Sequence, residues 1–84
     1  MKYDIRIEKR AEKFIYKQSK KQQERLLRAI YKLPSEGDIA PIVGQEDLLR
    51  LRVGDFRVLF TVENGRYIVH VIKIHNRGQI YKRY

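Results

Sequence analysis

The chain has no cysteine and no tryptophan, only two histidines and two prolines, and no long hydrophobic run in its 84 residues. Without cysteine it can form neither a disulfide framework nor a thiolate metal site. The two histidines and ten carboxylates show no metal-ligand spacing, so we expect no metal and no other cofactor. No apolar run approaches the roughly 20 residues that a membrane-spanning helix needs.

The N-terminal segment is charged and has no apolar stretch of the kind found in signal peptides. We therefore expect a cytoplasmic protein without a membrane segment. The length suits one domain, residues 1–84, and a chain of this size can bury only a modest core.

Positive charge is the most informative bulk property. Nineteen Lys and Arg residues outnumber ten Asp and Glu residues, which gives a net charge of +9. The charges are unevenly distributed. Residues 36–47 hold four acids and no base, whereas every charged residue from Arg66 to the end is a base. Such a surface suits an anionic partner, and nucleic acid is the usual one. The alternative is a basic surface that only maintains solubility.

Hydrophobic periodicity predicts one strand followed by two helices. Apolar residues alternate with polar ones over residues 3–7, which is the period of a half-buried strand. A first helix follows, and Ser19 with Gln22 three residues later predicts a capping box at the start of a second. That helix is expected to end near Pro34. The predicted buried positions are Ala11, Phe14, Ile15 and Gln18 on the first helix and Leu26, Leu27, Ile30 and Leu33 on the second.

Residues 34–47 contain both prolines and two of the five glycines, and this composition predicts a long loop. Alternating strands then run on either side of Gly54-Asp55, and Asn64-Gly65 predicts a second two-residue hairpin turn. The last strand, residues 67–74, is apolar on both faces apart from His70 and Lys73 and is expected to be central. The fold class is α+β: a helical hairpin packed on a small antiparallel sheet, in the order β-α-α-β-β-β plus a short C-terminal tail.

The Gly54-Asp55 turn fixes a hairpin register in which Arg52 lies opposite Arg57. Arg50 then shares the same face, which we expect to be exposed. Like charges opposite each other destabilise a strand pair, so this arrangement points to an anion that uses them. Arginine suits phosphate because its planar fork donates two parallel hydrogen bonds. The alternative is a solvated face whose arginines cover neighbours such as Leu59.

The C-terminal tail supplies the remaining candidates for acid–base chemistry. RNA cleavage by its own 2′-hydroxyl needs a base, cations that stabilise the phosphorane, and an acid for the leaving 5′-oxygen. Tyr81 is a poor base at its ordinary pKa of about 10, which a ring of arginines would lower. His75 can serve as acid or base, since histidine titrates near neutrality.

Two stretches resemble the RelE/ParE superfamily of toxins. LLRLRVGDFRVLFTV, residues 48–62, is similar to the superfamily pattern around its central strands, and HNRGQIYKRY, residues 75–84, is similar to the basic-then-tyrosine ending of RelE-type members. The resemblance covers nearly the whole chain as a single toxin domain. It departs from the pattern where Asn76 separates His75 from Arg77, which puts the identity of the acid in doubt.

The resemblance implies the toxin of a type II toxin–antitoxin system. RelE-type members are ribosome-dependent, metal-independent endoribonucleases that cleave mRNA in the A site and inhibit translation. Their implied partners are the ribosome, mRNA and a cognate antitoxin, here expected to be acidic and partly disordered. By position, Arg50 and Arg52 would bind RNA phosphate, Arg57 would stabilise the transition state, Tyr81 would be the general base, and Arg77 or His75 would assist.

Two other functions remain as alternatives. ParE-like members share the fold but inhibit DNA gyrase, and they generally lack the basic, tyrosine-containing tail. A plain RNA-binding module would instead use aromatic side chains such as Phe56 and Tyr67 as stacking platforms, but both are predicted to face the helices. A stripe of exposed lysines on the helices is the candidate contact for ribosomal RNA: Lys9, Lys13, Lys17, Lys20 and Lys21.

Overall fold

The structure, a computed structural model, describes residues 2–76. Within that range two helices pack on one face of a five-stranded sheet. The elements are β1 (Asp4–Ile7), α1 (Lys9–Tyr16), α2 (Lys20–Ile30), β2 (Asp38–Ile42), β3 (Gln45–Val53), β4 (Phe56–Glu63), a 3₁₀ turn (Asn64–Arg66) and β5 (Ile68–Asn76).

The sheet has the strand order β1-β5-β4-β3-β2. Its last four strands form an antiparallel meander, whereas β1 pairs in parallel with β5. The predicted α+β class and the central position of the last strand are therefore confirmed. The sheet is mixed rather than antiparallel, because β1 and β5 are joined by the long crossover that a parallel pair needs, here the helices and three strands between them.

The second difference is a strand inside the segment that was predicted to be a loop. β2 occupies Asp38–Ile42 and pairs with β3, which itself begins at Gln45. The prolines and glycines hid it, since Pro41 sits in this strand at the edge of the sheet, where one missing N–H costs little. The register shifts between Pro41 and Ile42, so the strand ends at an irregularity.

The core lies between the helices and the sheet. It contains five of the eight predicted helix positions; Phe14 and Leu27 are half-buried at its margin, and Gln18 is half-buried outside it. The Phe14 and Phe56 rings meet edge to face with centroids 5.8 Å apart. The buried cluster consists of Ala11, Ile15, Leu26, Ile30, Leu33, Leu51, Val53, Phe56, Val58, Phe60, Val69, Val71 and Ile74.

The α2 N-terminus forms half of the predicted capping box. The Ser19 hydroxyl accepts a hydrogen bond from the Gln22 backbone N–H at 3.2 Å. The reciprocal bond is not formed, because Gln22 Oε1 is buried without a hydrogen-bond partner in the described part of the chain. The single bond satisfies one of the N–H groups that a helix start leaves open.

The β3–β4 turn is as predicted, and the β4–β5 turn is not. Gly54 has φ +58° while Asp55 has a negative φ, which is the pattern of a type II′ turn. The second hairpin closes through four residues rather than two, since Glu63 pairs with Ile68. Tyr67 there adopts a left-handed φ of +55°, and its ring meets Tyr3 edge to face at 5.4 Å.

No helix within residues 2–76 is both long and apolar enough to span a membrane.

The Gly54 turn provides a stability test. Gly54→Ala should lower the free energy of unfolding by about 1–3 kcal/mol, because φ +58° is unfavourable for a residue with a Cβ. The added Cβ would also lie 2.8 Å from the Arg25 guanidinium. Gly65→Ala is the control, since its Cβ would meet nothing within 4 Å. Urea unfolding of both variants checks this, and equal stability of the two would contradict it.

Candidate functional site

Four polar residues form one row across the sheet on the face opposite the helices. Asp38 on β2 pairs with Arg52 on β3, Arg52 pairs with Arg57 on β4, and Arg57 pairs with His75 on β5. Residues in register on neighbouring strands point to the same face. The predicted pairing of Arg52 with Arg57 is confirmed. The neighbouring strands add Asp38 on one side of this pair of cations and His75 on the other.

A second row lies one step further along the same face. Arg50 pairs with Leu59 on β4, as predicted, and Leu59 pairs with Lys73 on β5. Leu59 is buried there although it lies outside the helix-packed core cluster. Arg50, Arg52 and Arg57 therefore share one face with two further basic residues of β5.

Asp38 forms ion pairs with two of these arginines. Arg52 Nε donates to Asp38 Oδ2 at 3.0 Å, and Arg50 Nη2 lies 4.0 Å from Oδ1. The hydrogen bond from Arg52 lowers the pKa of the Asp38 carboxyl below its ordinary value; partial desolvation opposes this, and the charges of Arg52, Arg50 and Arg57 add to the lowering. Asp38 is thus a carboxylate at neutral pH and a fixed counter-charge for the arginines.

Arg57 is buried, and the prediction that it lies on an exposed face is wrong. It is only 4% exposed, whereas the Arg52 side chain is 50% exposed. Its Nη1 donates to the carbonyl oxygens of Gly54 at 3.4 Å and Phe56 at 3.3 Å. A guanidinium is weakly hydrated and can donate to carbonyl oxygens such as these. The Arg57 side chain therefore folds back onto the hairpin instead of extending into solvent. The positive charge of Arg57 is consequently buried in this face of the sheet rather than exposed at its surface.

His75 connects this face to a groove of about 460 Å³ between α1 and β5. His75 itself is buried, at 7% exposure. Arg10 at the start of α1 reaches across the groove, where its Nε donates to the Ile72 carbonyl at 3.0 Å. The groove combines basic side chains with an apolar floor and is lined by Arg10, Lys13, Phe14, Lys17, Lys73, Ile74 and His75.

The lysine stripe is exposed along its whole length. Lys9 and Lys13 lie on α1, Lys17 is its C-cap, and Lys20 and Lys21 begin α2. Of these five, only Lys13 and Lys17 line the groove that ends at His75. The structure therefore brings two stripe lysines together with β5, and it leaves the other three outside that groove.

The two remaining tail candidates, Arg77 and Tyr81, lie outside the described residues. Of the two aromatic stacking candidates, Phe56 is buried in the core as predicted, whereas Tyr67 is exposed in the turn against Tyr3 and is not part of the core. Within residues 2–76 no three His, Asp or Glu side chains are grouped as metal ligands would be.

Sequence reasoning missed three residues of this surface: Asp38, Arg10 and Lys73. The unusual run of acids over residues 36–47 was a signal for Asp38, but its segment was taken for a loop. Lys73 could have been found only from its polarity, because it is a charged residue in a mostly apolar strand. Arg10 carries no signal, because its place in the groove depends on how α1 packs on β5.

Comparisons with known proteins agree on one superfamily. A family model described as "ParE toxin of type II toxin-antitoxin system, parDE" matches residues 5–81. A search of curated proteins found no match. The fold is similar to the archaeal RelE–RelB complex from Pyrococcus horikoshii, with 28% identity over 94% of this chain and 99% of that chain and a TM-score of 0.75.

Two further solved structures share the fold. The RelB–RelE complex from Methanococcus jannaschii has 20% identity over 94% of this chain and 98% of that chain, with a TM-score of 0.76. A mutant of the Escherichia coli toxin RelE in the free state has 21% identity over 98% of this chain and 93% of that chain, with a TM-score of 0.71.

The family model and the similar solved structures thus identify the chain as a toxin of the RelE/ParE superfamily, as the resemblance implied. The ParE toxin model matches most of the chain, so the protein belongs to the ParE toxin family of type II toxin–antitoxin systems.

The Asp38 ion pairs provide a titration test. In NMR titrations, Arg52→Gln should raise the pKa of Asp38 the most, and Arg50→Gln should raise it less, following the contributions of the two arginines. Since the folded pKa is lowered, the stabilising pair is present above the ordinary aspartate pKa and is lost as pH falls through the folded value. Arg6→Gln, on β1 at the other sheet edge, is the control. An Asp38 pKa that ignores Arg52→Gln would contradict these contacts.

Proposed function

We propose that this toxin is a metal-independent endoribonuclease that cleaves mRNA in the ribosomal A site and so inhibits translation. The observation that supports it most is the sharing of one sheet face by Arg50, Arg52, Arg57 and His75. This is a high density of cations with a titratable group at its end. Cleavage by the RNA's own 2′-hydroxyl requires mainly stabilisation of negative charge, which such a face supplies.

In this proposal the exposed arginines and the buried arginine have different roles. Arg52 and Arg50 are accessible enough to hold the scissile phosphate through their terminal nitrogens. Arg57 is buried beside them, where a charge acts more strongly than in water, and it stabilises the phosphorane. A preorganised cation of this kind needs no rearrangement as charge develops in the transition state.

Proton transfer is assigned to the end of the chain. In this proposal Tyr81 takes the 2′-proton, since arginines close to a phenol would favour its phenolate form. Arg77 or His75 assists the leaving 5′-oxygen. His75 is in register with Arg57, so a proton donor at this position lies at the same end of the sheet as the proposed transition-state arginine.

The proposed partners are an antitoxin, the ribosome and mRNA. The similar Pyrococcus and Methanococcus toxins were solved as complexes with RelB. An acidic, partly disordered antitoxin that folds onto this chain would neutralise its net charge of +9. The lysine stripe would contact ribosomal RNA backbone, where lysine binds phosphate without reading sequence.

A gyrase inhibitor is the second candidate function, because the matching family model is that of the ParE toxins. The two functions predict different damage in the cell, namely cleaved mRNA or gyrase-linked DNA breaks.

Arg57→Ala and Tyr81→Phe are the first test. Each should relieve growth arrest, with the cleavage rate on programmed ribosomes falling about a hundredfold or more, as expected for loss of a transition-state donor or base. Primer extension on mRNA measures cleavage, and antitoxin binding controls for folding. Since Arg57 is buried, Arg57→Lys is the conservative variant: it should keep the charge and the fold without keeping full activity.

Two results would contradict this assignment. Full toxicity of Arg57→Ala together with intact mRNA and inhibited gyrase would favour the ParE-like function. Retained activity of Tyr81→Phe with loss of activity in His75→Ala would reassign the base to His75 while leaving the ribonuclease proposal in place.

The second test concerns the lysine stripe. Lys13→Gln combined with Lys17→Gln should weaken ribosome binding and reduce its salt dependence, because each phosphate contact releases counterions. Lys2→Gln combined with Lys32→Gln removes the same charge outside the stripe and is the control. Sedimentation with ribosomes at low and high salt measures both pairs. Equal weakening by the two pairs would show a general charge effect rather than a contact.

A further inference from the structure

Among the residues of the two rows described above, Asp38 is the one acid, and it lies where it opposes the proposed substrate. A carboxylate next to a phosphate site repels the phosphate, so its presence calls for a physical reason. Both ion pairs found for Arg50 and Arg52 within residues 2–76 are to Asp38. Asp38 therefore lies at the centre of the contacts that hold these two side chains.

The geometry at Arg52 determines which of its donors remain for a ligand. Its Nε–H donates to Asp38 Oδ2 at 3.0 Å, and this nitrogen lies at the side of the guanidinium fork. A guanidinium can bind an oxyanion from the side, through Nε and one terminal nitrogen, or end-on, through both terminal nitrogens. With Nε engaged, Arg52 presents its terminal nitrogens and binds end-on.

The second carboxylate oxygen lies near Arg50, at ion-pair rather than hydrogen-bond distance. Arg50 Nη2 lies 4.0 Å from Asp38 Oδ1, so the two arginines flank the same carboxylate from neighbouring rows. The Arg50 side chain is 23% exposed and the Arg52 side chain 50%, which leaves both accessible to a ligand. Without the acid, Arg52 would face Arg57 across the hairpin with no negative charge in its row.

We propose that Asp38 is a positioning residue that clamps Arg52 by its Nε and holds Arg50 beside it, so that both arginines present terminal nitrogens to one RNA phosphate. This inference rests on the proposed ribonuclease function and deepens it. The acid trades affinity for geometry, since its charge weakens binding of any polyanion while its oxygens fix the donors that hold the scissile phosphate.

Two variants of Asp38 separate the effect of its charge from the effect of its hydrogen bond. Asp38→Asn removes the charge but keeps an oxygen that can accept the Arg52 hydrogen bond. Asp38→Ala removes both. Both variants should bind RNA more tightly, and only Asp38→Ala should lose the alignment of Arg52. The comparison is made at pH 7, where an aspartate is ionised even at its ordinary pKa and where Arg52 lowers the pKa of Asp38 further.

The experiment has a binding arm and a rate arm. Binding uses a mixed-sequence single-stranded RNA oligonucleotide whose 2′-hydroxyls are methylated, so that it cannot be cleaved. Asp38→Asn and Asp38→Ala should each bind it about two- to tenfold more tightly at low salt. On programmed ribosomes at saturating concentration, Asp38→Ala should cleave about tenfold or more slowly, since misplaced groups lose rate, whereas Asp38→Asn should stay within about threefold.

A matched ion pair at the other edge of the sheet supplies the control. Arg6 Nε donates to Asp4 Oδ2 at 3.0 Å, with side-chain exposures of 54% and 60% that resemble those of the Asp38 pair. Asp4→Asn and Asp4→Ala remove the same charge on β1. Their effect on binding should be smaller, and both should cleave at the parent rate.

A third measurement follows Arg52 itself. In ¹H–¹⁵N spectra of side-chain Nε–H groups, the Arg52 signal should be protected from solvent exchange in the parent chain and in Asp38→Asn. It should exchange rapidly in Asp38→Ala. This readout needs neither ribosomes nor cleavage, so it tests the clamp independently of the enzyme activity.

Each outcome decides the inference. Parent-like cleavage by Asp38→Ala would overturn it, and so would an Asp38→Asn rate as low as that of Asp38→Ala, because charge rather than the hydrogen bond would then matter. If the parent chain cleaves no RNA, the proposed function fails. The exchange and oligonucleotide measurements then still support the clamp if Asp38→Ala releases Arg52 and binds more tightly, and overturn it if neither changes.

Discussion

The repulsion between Arg52 and Arg57 is the constraint on which the site depends. A two-residue turn at Gly54-Asp55 leaves no other register, so the two guanidinium groups start from directly opposed positions. The chain resolves the conflict differently for each. Arg57 folds onto the carbonyl oxygens of its own hairpin, and Arg52 turns outward to Asp38. One cation thus becomes buried and fixed while the other stays at the surface, and this difference is what the proposed chemistry uses.

The edge strand β2 has a functional consequence beyond the sheet. It covers one side of β3 and, in doing so, carries Asp38 into register with Arg52. At the other end of the same row, β5 brings His75 alongside Arg57. The row is therefore assembled from four strands, and a change in the register of any one of them would separate the counter-charge from the cations or the cations from the histidine.

The parts of the fold that followed from the sequence are those governed by local rules. The Ser19 cap, the apolar helix faces and the Gly54 turn each depend on residues within a few positions, and the structure confirms them. β2 did not follow, because Pro41 and two glycines imitate a loop, and only pairing with β3 makes the segment a strand. The burial of Arg57 did not follow either, since register predicts the face of a side chain and not how far it folds back. Likewise, the link after Glu63 is longer than Asn64-Gly65 suggests: it ends at Tyr67, and the Tyr3 hydroxyl, from a distant part of the sequence, donates to Asn64 Oδ1 within it at 2.8 Å.

The central claim is that this basic face cleaves RNA through the RNA's own 2′-hydroxyl, with charge stabilisation supplied by arginines. The most direct measurement is the chemistry of the cut ends, made on ribosomes programmed with a defined mRNA, with toxin that has been treated with EDTA and dialysed before it is added. The account predicts a 2′,3′-cyclic phosphate on the upstream fragment, formed at the same rate by EDTA-treated and untreated toxin. An intact mRNA, or a fragment that ends in a 3′-hydroxyl, would contradict it.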